Sequence, residues 1–135
     1  MKTIGHKAGL LWVYMTAANA VEARTIARAL VRERLAACVN ILGPIQSIYR
    51  WKGAIEKGRE VAFCAKTTRA RFTALCKRVC ALHSYEVPCI VAVPLAAGHP
   101  PFLGWIADSV RPASSAKAPG RSGAPALRGS ARREG

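Results

Sequence analysis

An α+β fold is what this 135-residue sequence predicts: four antiparallel strands, two helices between them and a third helix at the end. Three observations carry that prediction. Short apolar runs rich in strand-forming residues recur at 10–15, 38–41, 61–65 and 87–95. Two intervening segments repeat apolar residues at intervals of three and four, the helical period. The length suits one compact domain, and 51% apolar with 21% charged residues is ordinary for a globular chain.

The first run, Leu10 to Met15, is continuously apolar and reads as a buried strand. Asn19 followed three positions on by Glu22 is a capping-box signature, so a helix is expected from about Ala20 to Ala36. Ala23, Ile26, Ala27, Leu30 and Val31 form its apolar stripe; Arg24, Arg28 and Arg32 lie on the other side. Cys38 to Ile41 opens a second strand, interrupted at Gly43-Pro44 by a bulge or bend and resumed from Ile45 to Trp51. Lys52-Gly53 is the expected turn. The third strand is polar near Glu56–Arg59 and apolar from Val61 to Ala65, which makes a long hairpin with a projecting tip. Ile48, Tyr49, Trp51 and Ile55 on such a tip call for a covering chain.

Thr68 is the expected N-cap of a second helix with Phe72, Leu75, Cys76, Val79 and Leu82 inward, ending near His83-Ser84. Val87 to Leu95 is the fourth strand. Pro100-Pro101 starts a last helix, with Phe102, Leu103, Ile106 and Val110 inward and Pro112 as its stop. The order β-α-β-β-α-β-α interleaves two right-handed halves in one antiparallel sheet, the ferredoxin-like arrangement with its helices on one face.

Charge is unevenly spread. Of the net +14, residues 111–135 hold +5, on Arg111, Lys117, Arg121, Arg128, Arg132 and Arg133 against Glu134. Leu127 is the only large apolar residue there, so 111–135 is expected to be a disordered basic tail after a domain over 8–110. Residues 87–107 carry no Lys, Arg, Asp or Glu, but four prolines interrupt them, so no membrane span is expected. The N-terminal apolar run before Ala18-Asn19-Ala20 imitates an export signal; it is short, and cleavage after Ala20 would remove a core strand. Five cysteines, an odd number without Cys-x-x-Cys, suit a reducing cytoplasm.

Catalytic chemistry has little to work with. There is no phosphate-binding glycine loop and no Gly-x-Ser-x-Gly, and the one aspartate is Asp108. The expectation is a non-enzyme. Cys76, Cys80 and His83 stand at i, i+4 and i+7, near one helix face, and could offer soft ligands; the two cysteines alternatively fill the core stripe. The Arg24, Arg28, Arg32 stripe is read as a solvated face, not a phosphate-tracking one. Trp12, Tyr14 and Phe63 could imitate the base-stacking aromatics of an RNA-binding sheet, but the third strand lacks the accompanying basic-Gly-aromatic pattern. Nucleic acid is an unlikely partner on these grounds.

The segments Val13–Ala17, Leu35–Ile41, Ser47–Gly53, Lys66-Thr67, His83–Pro88 and Pro101-Phe102-Leu103-x-Trp105, in that order, resemble the CutA divalent-cation tolerance proteins. The resemblance spans about residues 8–110. It implies a homotrimer built through the long hairpin, with Tyr49 and Trp51 in the interface, a cytoplasmic location, and binding of copper or another divalent metal ion. The architecture is also similar to trimeric nitrogen-regulatory signalling proteins, which implies sensing, not catalysis. Family members with an assigned copper site use a first-strand Cys and two adjacent His at the end of the second helix. Here those positions are Met15 and Leu82-His83, so His83 and Met15 are the expected metal ligands, the thioether suiting Cu(I). Lys66, Tyr85 and Glu86 match positions lining a cleft between subunits. A second implication is a scaffold that takes a small anion or a partner segment in that cleft, without metal.

Overall fold

The computed structural model describes residues 9–112. In chain order the elements are β1 (Leu10–Ala17), α1 (Ala20–Arg32), β2 (Cys38–Trp51), β3 (Ala54–Thr68), α2 (Arg69–Leu82), β4 (Ile90–Pro94) and α3 (Pro100–Ser109). The strands form one antiparallel sheet in the order β2-β3-β1-β4. Of the tail expected over 111–135, all but Arg111 and Pro112 lies outside the described residues.

Strand alternation divides the sheet into two unlike faces. Leu11, Val13, Met15 and Ala17 of β1 and Val61, Phe63 and Ala65 of β3 point to one side, where they pack with Ala23, Ile26 and Leu30 of α1 and Leu75 and Val79 of α2. Trp12, Tyr14 and Thr16 alternate with them and turn to the opposite, largely bare face. Leu10 shares that second face and packs with Leu103, Ile106 and Val110 of α3. The expectation of all helices on one side is thereby corrected: α3 caps one end of the bare face, because its apolar stripe finds Leu10 and Ala37 there. Phe63 is separated from Trp12 and Tyr14 by the same alternation, pairs opposite Met15 and is fully buried. The three aromatics make no stacking platform.

α1 ends four residues before the expected Ala36. Arg34 adopts φ 59°, Leu35 N–H donates to the Leu30 carbonyl at 2.8 Å, and Arg34 N–H donates to that of Val31 at 3.1 Å. This is a Schellman C-cap with arginine in the left-handed position that glycine usually takes. β4 is shorter than expected because residues 83–89 form an irregular corner, tied by side chains and not by a ladder.

The β2–β3 hairpin closes at Lys52 (φ 49°) and Gly53 (φ 83°), two consecutive left-handed residues that match the right-handed strand twist. A bulge between Ile41 and Gly43 shifts the register, Ile41 pairing Phe63 and Gly43 pairing Ala62. Its effect reverses the alternation of β2. Before the bulge Cys38 and Asn40 pair opposite Lys66 and Cys64; after it Ile45 pairs opposite Glu60 and Tyr49 opposite Glu56. Ile45, Ser47, Tyr49 and Trp51 therefore share the bare face with Glu60. Pro44 is tolerated because β2 is an edge strand.

Candidate functional site

Where the reversed half of β2 meets β1 and the 83–89 corner, a cleft of about 670 Å³ opens on the bare face. Tyr14, Tyr49, Trp51 and Tyr85 supply aromatic walls, and Glu60 and Glu86 supply charge. Among the described residues no Lys or Arg lines it.

Glu60 is the polar centre. One carboxylate oxygen accepts from the Ser47 hydroxyl at 2.6 Å and the other from the Tyr85 hydroxyl at 2.7 Å. Burial alone would lift its carboxyl, but the hydrogen bonds from Ser47, Tyr85 and Thr16 outweigh it and hold the group below the usual carboxylate range. Tyr85 responds oppositely: burial, its bond to Glu60 and the Glu60 charge push its phenol well above the ordinary range, so it remains a donor.

The corner behind the cleft is organised by Glu22 and His83. The Asn19 side chain accepts from Glu22 N–H at 2.9 Å, the expected helix cap. The Glu22 carboxylate then accepts from Ala18 N–H at 2.9 Å and, across the fold, from Ser84 N–H at 2.7 Å and Ser84 Oγ at 3.1 Å. These bonds overcome the burial that would raise its carboxyl and hold it low. The His83 side chain is fully buried. Its Nδ1 accepts from Tyr85 N–H at 3.1 Å, so Nε2 carries the proton and donates to the Thr16 carbonyl at 2.8 Å.

The expected metal ligands are therefore placed unfavourably for a resident ion. Met15 has no exposed surface and lies in the apolar core beneath the helices. His83 has no exposed side-chain surface and no free ring nitrogen. Cys76 is partly buried and Cys80 exposed, so neither fills the core, where Leu75 and Val79 sit instead. Among the described residues no three of His, Cys, Asp and Glu converge as a metal ion requires. Burial also raises the thiols of Cys38, Cys76 and Cys89, which keeps them protonated. The residues present do not fit a preformed copper site.

Of the residues expected in a cleft between subunits, Tyr85 and Glu86 line this cleft of the single chain and Lys66 lies apart from it. Lys66 lies six residues along β3 from Glu60, about 20 Å at the strand rise, and its ammonium donates to Asn40 Oδ1 at 2.7 Å. A small anion thus has no basic partner in the cleft lining. Glu60, Ser47 and Thr16 were not legible as site residues from sequence. The only available signal was the Gly43-Pro44 interruption, which decides the face that β2 presents.

Comparison with known proteins agrees with the fold. The chain is 48% identical over 97 residues to the divalent-cation tolerance protein CutA of Thermus thermophilus, covering 72% of this chain and 94% of that one. Against the CutA homolog of Xenopus laevis it is 43% identical over 97 residues, covering 72% of this chain and 64% of that one, so it spans somewhat under two thirds of that relative. A solved structure of a periplasmic divalent cation tolerance protein CutA from Archaeoglobus fulgidus matches with TM-score 0.73 and 42% identity, over 76% of this chain and 99% of that one. With the sequence pattern of the CutA1 divalent ion tolerance proteins matching residues 11–109, from the second residue of β1 to the last of α3, the chain belongs to that family.

Proposed function

We propose that this protein serves the response to divalent metal ions as a non-enzymatic homotrimer, acting in the cytoplasm, with copper or another divalent cation as its ligand. Family membership supports the tolerance role. The observation that carries the assembly is the projecting hairpin: Ile48 and Ile55 are 74% and 68% exposed, and Tyr49 and Trp51 lie beside them on an edge strand and its neighbour. A second copy is the natural cover for such a surface. All five cysteines are free, which suits a reducing compartment, and no helix among the described residues is long and apolar enough to cross a membrane. The metal is not assigned to Met15 and His83. The test is metal content of the purified protein with titration of Cu(I) and Cu(II) into wild type and His83→Ala. Uptake by both proteins is expected, and no uptake by the wild type overturns the metal reading.

A second reading, an interaction scaffold that holds a ligand in its cleft, is favoured by the aromatic and acidic lining around Glu60. The same metal-content measurement separates the two, since only the first requires metal.

A further inference from the structure

We infer that Cys76 and Cys80 on α2 form a chelating pair for a soft, thiophilic centre that needs only two sulfur ligands, a two-coordinate monovalent ion or a monosubstituted arsenic(III) compound. The inference does not rest on the divalent-metal reading, and it uses neither Met15 nor His83.

Three observations support it. First, both thiols stand clear of the core. The inward stripe of α2 is Leu75 and Val79, which pack with Val61, Phe63 and Ala65 of β3. Each cysteine follows one of these by a single position, about 100° around the helix, so both leave the core on the same flank. Cys76 is half-buried there and Cys80 exposed. That flank belongs to the helix-covered side of the sheet, whereas the trimer reading covers the hairpin with another copy.

Second, the spacing selects the chemistry. Residues at i and i+4 of a helix hold their Cβ atoms roughly 5–6 Å apart, and a disulfide needs about 3.5–4.5 Å. The two thiols therefore cannot join directly while α2 stays helical, but one atom placed between the sulfurs spans the gap. Their proximity also shows electrostatically: burial raises the Cys76 thiol and the neighbouring Cys80 adds to the effect. Third, α2 carries Arg69, Arg71, Lys77 and Arg78 and no acidic residue. It offers no carboxylate to a hard dication, and its positive charge offsets the negative charge of a monovalent ion held by two thiolates.

The other neighbouring cysteines, Cys38 and Cys64, make the natural control. Cys64 is buried, and the Lys66 ammonium lies 3.8 Å from the Cys38 sulfur.

The experiment exposes the reduced full chain to phenylarsine oxide, and separately to Ag(I), in excess monothiol, and reads the bound species by mass spectrometry. With the arsenical, two As–S bonds form, the arsenic–oxygen bond breaks, and both thiol protons leave with the oxygen as water; no electrons are exchanged. The wild type is expected to retain one reagent less one water per chain. Cys76→Ser and Cys80→Ser should each retain about tenfold less or lower, because a single thiol loses the intramolecular second bond. A Cys38→Ser, Cys64→Ser double variant should behave as the wild type. Ag(I) retained with the same variant pattern extends the site to monovalent ions, and retention of one probe alone assigns it to that source. Far-UV circular dichroism should not change on binding, since a bridge across one turn keeps the helix. Retention of neither probe by the wild type, equal retention in the α2 variants, loss confined to the Cys38 and Cys64 variant, or loss of helix on binding overturns the proposal.

Discussion

His83 Nε2 donates to the backbone carbonyl of Thr16 at 2.8 Å, joining the end of α2 to the end of β1 across 67 residues of sequence. With Nδ1 accepting from Tyr85 N–H, the imidazole is a structural tie between the core and the cleft wall.

Replacing it should therefore reduce stability. His83→Ala removes two hydrogen bonds and opens a buried void, and a loss of about 2–3 kcal/mol is expected. Urea unfolding at fixed protein concentration measures it. An unchanged midpoint would show that the tie is dispensable.

Acid should weaken the same corner. Glu22 and Glu60 both have folded carboxyls below their ordinary value of 4.5. A depressed folded value stabilises the protein fully above the unfolded value and loses that effect as pH falls through the folded one. Stability should hold above about pH 5 and decline below about pH 4.5, and Glu22→Gln should flatten that decline. Thermal melts between pH 3 and 7 check the slope; equal slopes in the two proteins would contradict it.

At the hairpin tip, Lys52 holds φ 49° without the side chain best suited to it. Asn tolerates the left-handed region, and Asn-Gly is the favoured pair for this turn, so Lys52→Asn should raise stability by about 0.5–1 kcal/mol. Gly53→Ala, at φ 83°, should lower it by about 1 kcal/mol or more. Calorimetric melting of both variants tests the pair of opposite signs.

The proposed trimer predicts a specific failure. Ile48→Lys with Ile55→Lys places two charges on the exposed arm and should shift light-scattering mass from three copies toward one at micromolar concentration. A mass equal to one copy in the wild type would refute the trimer directly.

The Gly43-Pro44 interruption shows where sequence reading stops. A break in β2 follows from a glycine and a proline inside an apolar run. Its consequence does not, because whether one residue is skipped depends on how β3 pairs across it. That single skip at Leu42 puts Tyr49 and Trp51 on the face of Glu60. Glu22 is a parallel case: its capping role is local and legible at three-residue spacing, while its bonds to Ser84 join residues 62 apart.

By itself the sequence determined the element order, the Asn19-capped start of α1, the two-residue turn and the family, because each is encoded in spacing over a few neighbours or in serial motifs, whereas Thr68 stands at the start of α2 without a side-chain cap bond. Tertiary structure decided what those motifs do. Burial emptied Met15 and His83 of ligand character, Lys66 fell to the far end of the sheet, and α3 crossed to the second face. The physical reason is the period of two in a strand. Which side a residue faces, and so whether it meets solvent, core or carboxylate, is set by register with a partner strand and not by the residue's own neighbours.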